Sequence, residues 1–369
     1  MPGHVDESKL NDILEKAERA AILTQEEIIY LLELQDKVQV EKVFQTARNI
    51  RRRFFSNKIF MYGFIYFSTF CRNDCTFCFY RKSNDVSVRY HKTEAEIMET
   101  AHSLTESGVH LLDLTMGEDP RYFSQGFKEL LELVTRIKKV SNLPLMISPG
   151  LVPVETLDEF KKAGINWYAC YQETHNRQLY ERLRVGQSFD NRLKIKLLAR
   201  ERGLLVEEGL LTGVGETVQD LAESLAFMKL LSADQVRVMS FVPQKGTPME
   251  GLSSPSFLRE LLMIAVMRLV FPDKLIPASL DVDGIAGLKE RLDAGANVVT
   301  SLIPPSTGFA GVSQSTLDID EGHRTVQGIL PILESCKLEP AHAREYAQWV
   351  KQRQTDISMT KREGVGLCG

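Results

Sequence analysis

The 369-residue chain lacks an apolar run as long as a membrane-spanning helix needs, about 18 residues or more. Its first residues also lack the basic flank and apolar core of a signal peptide. Acidic and basic residues nearly balance, giving a net charge of −4, so no global basic field indicates a nucleic-acid partner. These absences predict a cytoplasmic protein that binds neither membranes nor nucleic acid.

A disulfide framework is also missing, because six cysteines are few for this length and three of them are clustered. Cys71, Cys75 and Cys78 form a C-x3-C-x2-C motif directly after an aromatic-rich run, residues 60–70. Iron–sulfur clusters are held by cysteine thiolates, usually four for a [4Fe–4S] cluster. Three cysteines without a nearby fourth would leave one iron open to another ligand.

The alternative is a structural zinc site in a binding module without turnover. Such sites need four protein ligands, commonly in pairs of cysteines. The chain has no second pair, because its other cysteines are single and distant in sequence: Cys170, Cys336 and Cys368. The pattern therefore favours the iron–sulfur cluster over zinc.

Secondary-structure patterns predict a helical segment followed by a barrel. Residues 8–56 have helical periodicity, which predicts an N-terminal helical extension over residues 1–56. Short apolar runs then alternate with amphipathic stretches, as in parallel βαβ units. Eight candidate strands are Phe60–Thr69, His110–Thr115, Leu145–Ser148, Trp167–Tyr171, Val206–Leu211, Gln235–Phe241, Pro277–Leu280 and Val298–Ile303. They predict an α/β fold, a (β/α)8 TIM-type barrel over residues 57–350, with a C-terminal tail over residues 351–369.

Polar and glycine residues follow several candidate strands, at 117–119, 172–176 and 213–216. Active groups of such barrels lie at the C-terminal ends of the strands, so these residues are expected on one face. We interpret the glycines of residues 213–216 as permitting a tight turn. The basic run Arg48–Arg53 is interpreted as the solvated end of a helix, where cations are favoured.

The cysteine loop resembles that of the radical S-adenosylmethionine (SAM) superfamily, and the likeness extends over residues 57–305. In that family three cysteines hold a [4Fe–4S] cluster, and the methionyl end of SAM occupies the fourth iron. Residues 116–118 resemble the segment that receives the cofactor's amino group. Residues 173–176 and 188–192 resemble the biotin-synthase and hydrogenase-maturase branch. The resemblance implies that these residues bind SAM: Phe77, Gly117, Glu118, Glu173 and, toward its carboxylate, Arg192.

Within that branch the sequence is most similar to the methylornithine synthases, lysine mutases that convert L-lysine to 3-methyl-D-ornithine in pyrrolysine biosynthesis. This likeness is carried by residues 65–71 and by four polar residues: Asp113, Arg237, Ser279 and Asp281. It implies that Arg237 binds the substrate carboxylate and Ser279 adds a hydrogen bond. Asp113 and Asp281 would pair with the two ammonium groups. A charge inside an apolar strand is costly unless paired, so Arg237 and Asp113 need either a ligand or an internal salt bridge.

The chemistry implied by the resemblance is a radical isomerisation. The reduced cluster and SAM would give a 5′-deoxyadenosyl radical that abstracts hydrogen from lysine, with no catalytic residue beyond the cluster and this radical. An electron donor such as flavodoxin or ferredoxin is implied. The alternative within the branch is an enzyme like biotin synthase or a hydrogenase maturase, acting on another small amino or thiol acid. A sulfur-donating second cluster would need several more ligands, and only Cys170 lies on a candidate strand.

Overall fold

The computed structural model describes residues 7–311, 313 and 323–365, and Cys368 lies outside this part of the chain. Three helices come first: α1 (Glu7–Glu18), α2 (Gln25–Leu32) and α3 (Lys37–Phe55). Thr24 and Glu27 form a reciprocal capping box that starts α2. The prediction that residues 8–56 are helical is therefore confirmed.

Eight parallel strands form the barrel, with bounds within two residues of those predicted: β1 (Lys58–Ser68), β2 (Leu111–Met116), β3 (Leu145–Ser148), β4 (Trp167–Ala169), β5 (Leu205–Thr212), β6 (Gln235–Ser240), β7 (Pro277–Ser279) and β8 (Val298–Leu302). Their order is β6-β5-β4-β3-β2-β1-β8-β7, and each neighbouring pair is parallel. A parallel bridge between Gln235 and Leu275 links the two ends of this sheet. The predicted barrel is confirmed.

Ten of the described helices lie between or after the barrel strands: α4 (Glu94–Ser107), α5 (Pro120–Ser124), α6 (Lys128–Val140), α7 (Val154–Lys162), α8 (Arg177–Leu183), α9 (Phe189–Glu201), α10 (Val218–Leu230), α11 (Phe257–Val270), α12 (Leu288–Asp293) and α13 (Val326–Ser335). Helix α11 is buried at every position from 260 to 269. It is covered on one side by β6 and on the other by α2 and α3. A helix without a polar face is typical of such a position. The N-terminal extension therefore packs on the outer surface of the barrel.

Arg51 ties this extension to the barrel. Its guanidinium donates to the carbonyl oxygens of Leu292 and Ala296, at the end of α12, and the residue is only 5% exposed. Burial lowers the pKa of Arg51 to about 10. The interpretation of Arg48–Arg53 as a solvated helix end is therefore wrong for Arg51, because its cation satisfies the free carbonyl groups at the end of another helix.

The N-terminal ends of the strands are closed by the end of the chain. A two-residue strand, β9 (Glu339–Pro340), pairs with β1, and helix α14 (Ala343–Val365) follows it across residue 351. Tyr346 of α14 donates a 2.7 Å hydrogen bond to the Tyr62 hydroxyl, and Trp349 stacks on Trp167. These aromatic rings seal one end of the barrel. Among the described residues, no helix combines the length and apolar content of a membrane span.

Candidate functional site

One cavity lies within the barrel toward the C-terminal ends of the strands and opens to solvent. Eleven of the twelve predicted site residues line it: Cys71, Cys75, Phe77, Cys78, Asp113, Gly117, Glu118, Glu173, Arg192, Arg237 and Asp281. The twelfth, Ser279, lies behind this lining, and its hydroxyl is 3.5 Å from both Arg237 Nη1 and Asp281 Oδ2. The cavity therefore brings the predicted cluster, cofactor and substrate residues together.

The cysteine loop leaves β1 and is held tightly against the end of β2. Ser68 Oγ donates to Asp119 Oδ2 at 2.6 Å, and His91 Nε2 contacts the same oxygen at 2.6 Å. Gly117 permits the close approach, because a Cβ atom there would lie 2.3 Å from the Phe70 carbonyl oxygen. A side chain at position 117 would push the loop away from the strand.

The three cysteine thiols are in different surroundings. Cys75 is buried, whereas Cys71 and Cys78 are partly exposed. Burial, with the neighbouring Cys75, raises the pKa of Cys71 to about 11, and burial with the charges of Cys75 and Cys71 raises the pKa of Cys78 as well. Among the described residues, no three His, Cys, Asp or Glu side chains converge as a single metal ion requires. In a [4Fe–4S] cluster the thiolates bind different irons, so they need not converge on one point.

Glu118 and Arg192 form an anion–cation pair beside the cysteines. Arg192 Nη1 donates to Glu118 Oε1 at 3.1 Å, and its Nε donates to the Tyr171 carbonyl oxygen at 2.7 Å. Glu118 also accepts from the Leu151 N–H and from Arg72 Nε. Burial alone would raise the pKa of Glu118, but Arg192 and these donors lower it. The pair offers opposite charges to the carboxylate and ammonium of an amino acid.

Glu173 has a strained backbone, with φ of +68° in the left-handed region. Its N–H donates to the Gly209 carbonyl, and its own carbonyl accepts from the Leu211 N–H, which fixes the loop after β4 against β5. The carboxylate accepts a 2.7 Å hydrogen bond from Arg184 Nη2. Burial raises the pKa of Glu173, and Arg184 opposes that rise. Backbone and side chain are thus both held where the carboxylate lines the cavity.

Arg237 forms an ion pair through Nε, whereas its Nη2 has no hydrogen-bond partner among the described residues. Its Nε donates to Glu207 Oε1 at 2.7 Å. Glu207 also accepts from Tyr171 Oη at 2.9 Å and from Gln235 Nε2 at 2.7 Å. Arg237 Nη2 is buried and has no hydrogen-bond partner among the described residues. The salt bridge considered as an alternative to a ligand is present, yet it leaves this nitrogen available.

Asp113 is the least satisfied acid of the cavity. Its Oδ1 accepts from Ser148 Oγ at 3.1 Å. Burial, with the charge of Glu207, raises the pKa of Asp113 to about 7. Five buried polar atoms of cavity-lining residues have no hydrogen-bond partner among the described residues: Asp113 Oδ2, Thr115 Oγ1, Arg184 Nε, Arg237 Nη2 and Ser240 Oγ. Buried polar groups are normally paired, so these atoms indicate a polar ligand.

Asp281 has more protein partners than Asp113. Its carboxylate accepts from Tyr66 Oη at 2.7 Å, from Ser301 Oγ at 2.8 Å and from Arg324 Nη1 at 3.3 Å. Ser279 Oγ accepts the N–H of Asp281 and stands beside Arg237. Ser279 therefore positions two charged residues rather than lining the cavity itself.

A buried ion pair lies behind the cavity wall. Lys196 of α9 contacts Glu208 of β5, and both side chains are fully buried. Lys196 Nζ also donates to Gln172 Oε1 at 2.9 Å, while Glu208 Oε1 accepts the Gln172 N–H at 2.8 Å. The pair therefore supports the loop that carries Glu173.

Sequence reasoning missed these supporting residues. Glu207 and Glu208 carry a signal, because two acids inside an apolar strand must find partners. Arg184 carries no such signal in the sequence, since it lies in a polar stretch where a charged residue is ordinary. Only the fold shows that it reaches Glu173.

Comparison with known proteins gives matches of three kinds: a family model, individual relatives and a solved structure. Residues 65–228 match the radical SAM superfamily. The chain is 44% identical to 3-methylornithine synthase of Methanosarcina acetivorans, over 88% of this chain and 92% of that protein. It is 33% identical to the [FeFe] hydrogenase maturase subunit HydE of Thermotoga maritima, over 80% of this chain and 84% of that protein. A crystal structure of methylornithine synthase (PylB) matches with a TM-score of 0.87 and 43% identity, covering 91% of this chain and 99% of that chain. These matches leave the zinc-stabilised binding module without support.

Proposed function

The chain belongs to the radical SAM superfamily, and from that premise we propose that it is a methylornithine synthase. Its reaction is the isomerisation of L-lysine to 3-methyl-D-ornithine for pyrrolysine biosynthesis. One observation carries the proposal: a single cavity joins the three-cysteine loop to buried charged side chains that each keep one atom without a partner among the described residues, Asp113 Oδ2 and Arg237 Nη2. Free polar atoms on side chains of both charge signs suit an amino-acid substrate.

The residues around the cysteine loop fit a [4Fe–4S] cluster and SAM. Cys71, Cys75 and Cys78 would hold three irons and leave the fourth for the cofactor. Arg192 would bind the cofactor's carboxylate, and Glu118 would bind its ammonium group. Three further residues lining the same cavity complete the cofactor site: Phe77, Gly117 and Glu173. When bound, the cluster and SAM supply one-electron radical chemistry to the enclosed substrate.

The far end of the cavity fits lysine. Arg237 would bind the substrate carboxylate through Nη2 while Glu207 holds its other side at 2.7 Å. Asp113 would pair with one ammonium group through Oδ2, and Asp281 with the other. An added cation near Asp113 would return the pKa of this acid toward its ordinary value, so binding and ionisation support each other.

The barrel also confines the reaction. Tyr346 and Trp349 close the N-terminal ends of the strands. Buried salt bridges fix the side chains that hold the substrate, so fragments of a rearranging molecule would stay in place. Confinement and charge pairing are the contributions of this chain, and the cofactors carry the difficult bond-breaking step.

An electron donor such as flavodoxin or ferredoxin completes the proposal. It would approach the cysteine loop, where Cys71 and Cys78 are partly exposed. A cytoplasmic location is part of the same proposal. The five described cysteines are free thiols, as expected in a reducing compartment.

The direct test is turnover under anaerobic conditions. The reconstituted and reduced protein is incubated with L-lysine and SAM, and the products are separated by chromatography with mass detection. A lysine isomer of unchanged mass and altered retention is the expected product. Formation of 5′-deoxyadenosine without a lysine isomer would refute the mutase proposal while leaving the superfamily assignment intact.

A further inference from the structure

Two side chains outside the cysteine motif donate hydrogen bonds to Cys75. Gln187 Nε2 lies 3.0 Å from Cys75 Sγ, and Arg184 Nη1 lies 3.6 Å from the same atom. Both come from the segment that joins α8 to α9. Cys75 is the buried member of the cysteine trio, so these bonds lie in a site with little competing water.

The orientation of each donor is fixed by a second contact. Gln187 Oε1 accepts a 3.2 Å hydrogen bond from Arg192, which has only N–H donors, so the amide nitrogen must face the sulfur. Arg184 uses Nη2 for Glu173 at 2.7 Å and so directs Nη1 toward Cys75. Neither side chain can turn away from the sulfur without breaking an ion pair or hydrogen bond.

The backbone holds the two segments together as well. The Thr76 N–H donates to the Leu183 carbonyl oxygen at 2.9 Å, which ties the cysteine loop to the end of α8. Gly186, with φ of +72°, makes the turn that brings Gln187 back toward the cavity. The backbone of both segments therefore holds the two donors beside Cys75.

We propose that Gln187 and Arg184 act through Cys75 as positioning residues that raise the reduction potential of the cluster. Reduction adds electron density that spreads onto the ligating sulfurs, and N–H groups aimed at a sulfur stabilise that density. A positive guanidinium favours the more negative, reduced state in the same way. This inference rests on the cluster of the proposed function.

The test is a redox titration of the full-length, reconstituted protein, followed by electron paramagnetic resonance of the reduced cluster. Gln187→Met removes the donor and keeps the side-chain length. We expect its midpoint potential to be more negative, by up to a tenfold change in the redox equilibrium, which is about 59 mV for one electron. Gln219→Met makes the same change on the exposed face of α10 and should leave the potential unchanged.

A second variant tests whether the charge near Cys75 changes the potential in the expected direction. Gln187→Glu keeps an acceptor for Arg192 but places a negative charge near Cys75, so its potential should be lower than that of Gln187→Met. Iron content and thermal unfolding are measured for each variant. Potentials equal to wild type in both variants would overturn the inference. Loss of the cluster in both variants would also overturn the inference, because Gln187 would then be needed for assembly of the cluster. A wild-type protein that assembles no cluster would instead refute the proposed function.

Discussion

Replacing Asp113 by asparagine should stabilise the fold above neutral pH while removing an acid that we propose binds the substrate. The carboxyl group is fully buried, and its pKa is raised to about 7 by burial and by Glu207. Between about pH 4 and pH 7 the folded protein therefore binds a proton at Asp113 that the unfolded chain has released. Wild-type unfolding free energy falls as pH rises through this window, and asparagine, which cannot ionise, avoids the loss.

The magnitude follows from the two pKa values. A carboxyl group with a pKa of about 3.9 in the unfolded chain and about 7 in the fold costs about 4 kcal/mol of unfolding free energy at pH 8. At pH 5 the same group costs about 1.5 kcal/mol, because it is largely protonated in the fold. The stability gained by Asp113→Asn should thus grow by about 2–3 kcal/mol between pH 5 and pH 8.

Urea unfolding of both proteins at the two pH values measures this difference. Turnover supplies a second reading: wild-type kcat/KM for lysine should rise with pH to a plateau above about pH 7, because the free enzyme must present an ionised Asp113. The asparagine variant should lose about 10²–10³-fold in kcat/KM, the cost of leaving a buried ammonium unpaired. A stability difference that does not change with pH would refute the reasoning.

Three further predictions concern other parts of the site. Arg237→Ala should lower lysine turnover by about 10²-fold or more with cluster content retained; loss of iron would instead mark Arg237 as structural. Gly117→Ala should reduce iron content, because the added Cβ would lie 2.3 Å from the Phe70 carbonyl oxygen. The control Gly251→Ala, whose added Cβ meets nothing within 4 Å, should keep its iron, and equal iron content in the two variants would contradict this prediction. Lys196→Met should lower the free energy of unfolding in urea by about 3–5 kcal/mol, because it leaves the buried Glu208 unpaired. The control Lys194→Met, at an exposed position, should change it by almost nothing. Similar losses in the two variants would contradict the importance of the Lys196–Glu208 pair.

The fold could be predicted largely because its signals are local. Each barrel strand is a short apolar run between helical stretches, and this alternation is visible without knowledge of any contact. The two residues of β9 carry no such signal, because pairing with β1 alone defines them. The polar sequence from residue 351 onward predicts a tail, yet helix α14 runs through this stretch to Val365, and Tyr346 and Trp349 anchor the helix to the barrel.

The site could be predicted only where a motif or an isolated charge stands out from its neighbours. The cysteine spacing and Arg237, set in an apolar strand, are of that kind. Gln187 is not, because its amide matters only through the 3.0 Å contact with Cys75, which lies 112 positions away in the chain. Such contacts between distant segments have no local pattern, so spacing arguments do not find them.

Glu207 and Glu208 show how much information a strand can hold when its alternation is considered. Successive side chains of a strand point to opposite faces, so two adjacent buried acids must have separate partners. Glu207 points into the barrel and holds Arg237, whereas Glu208 points outward and holds Lys196 of α9. Glu207 therefore acts at the end of the cavity that we propose binds lysine. Glu208 supports the loop of Glu173, near the proposed cofactor site. Since each acid is fully buried, neither could persist in the fold without its own cation, and the pair links both ends of the site to one strand.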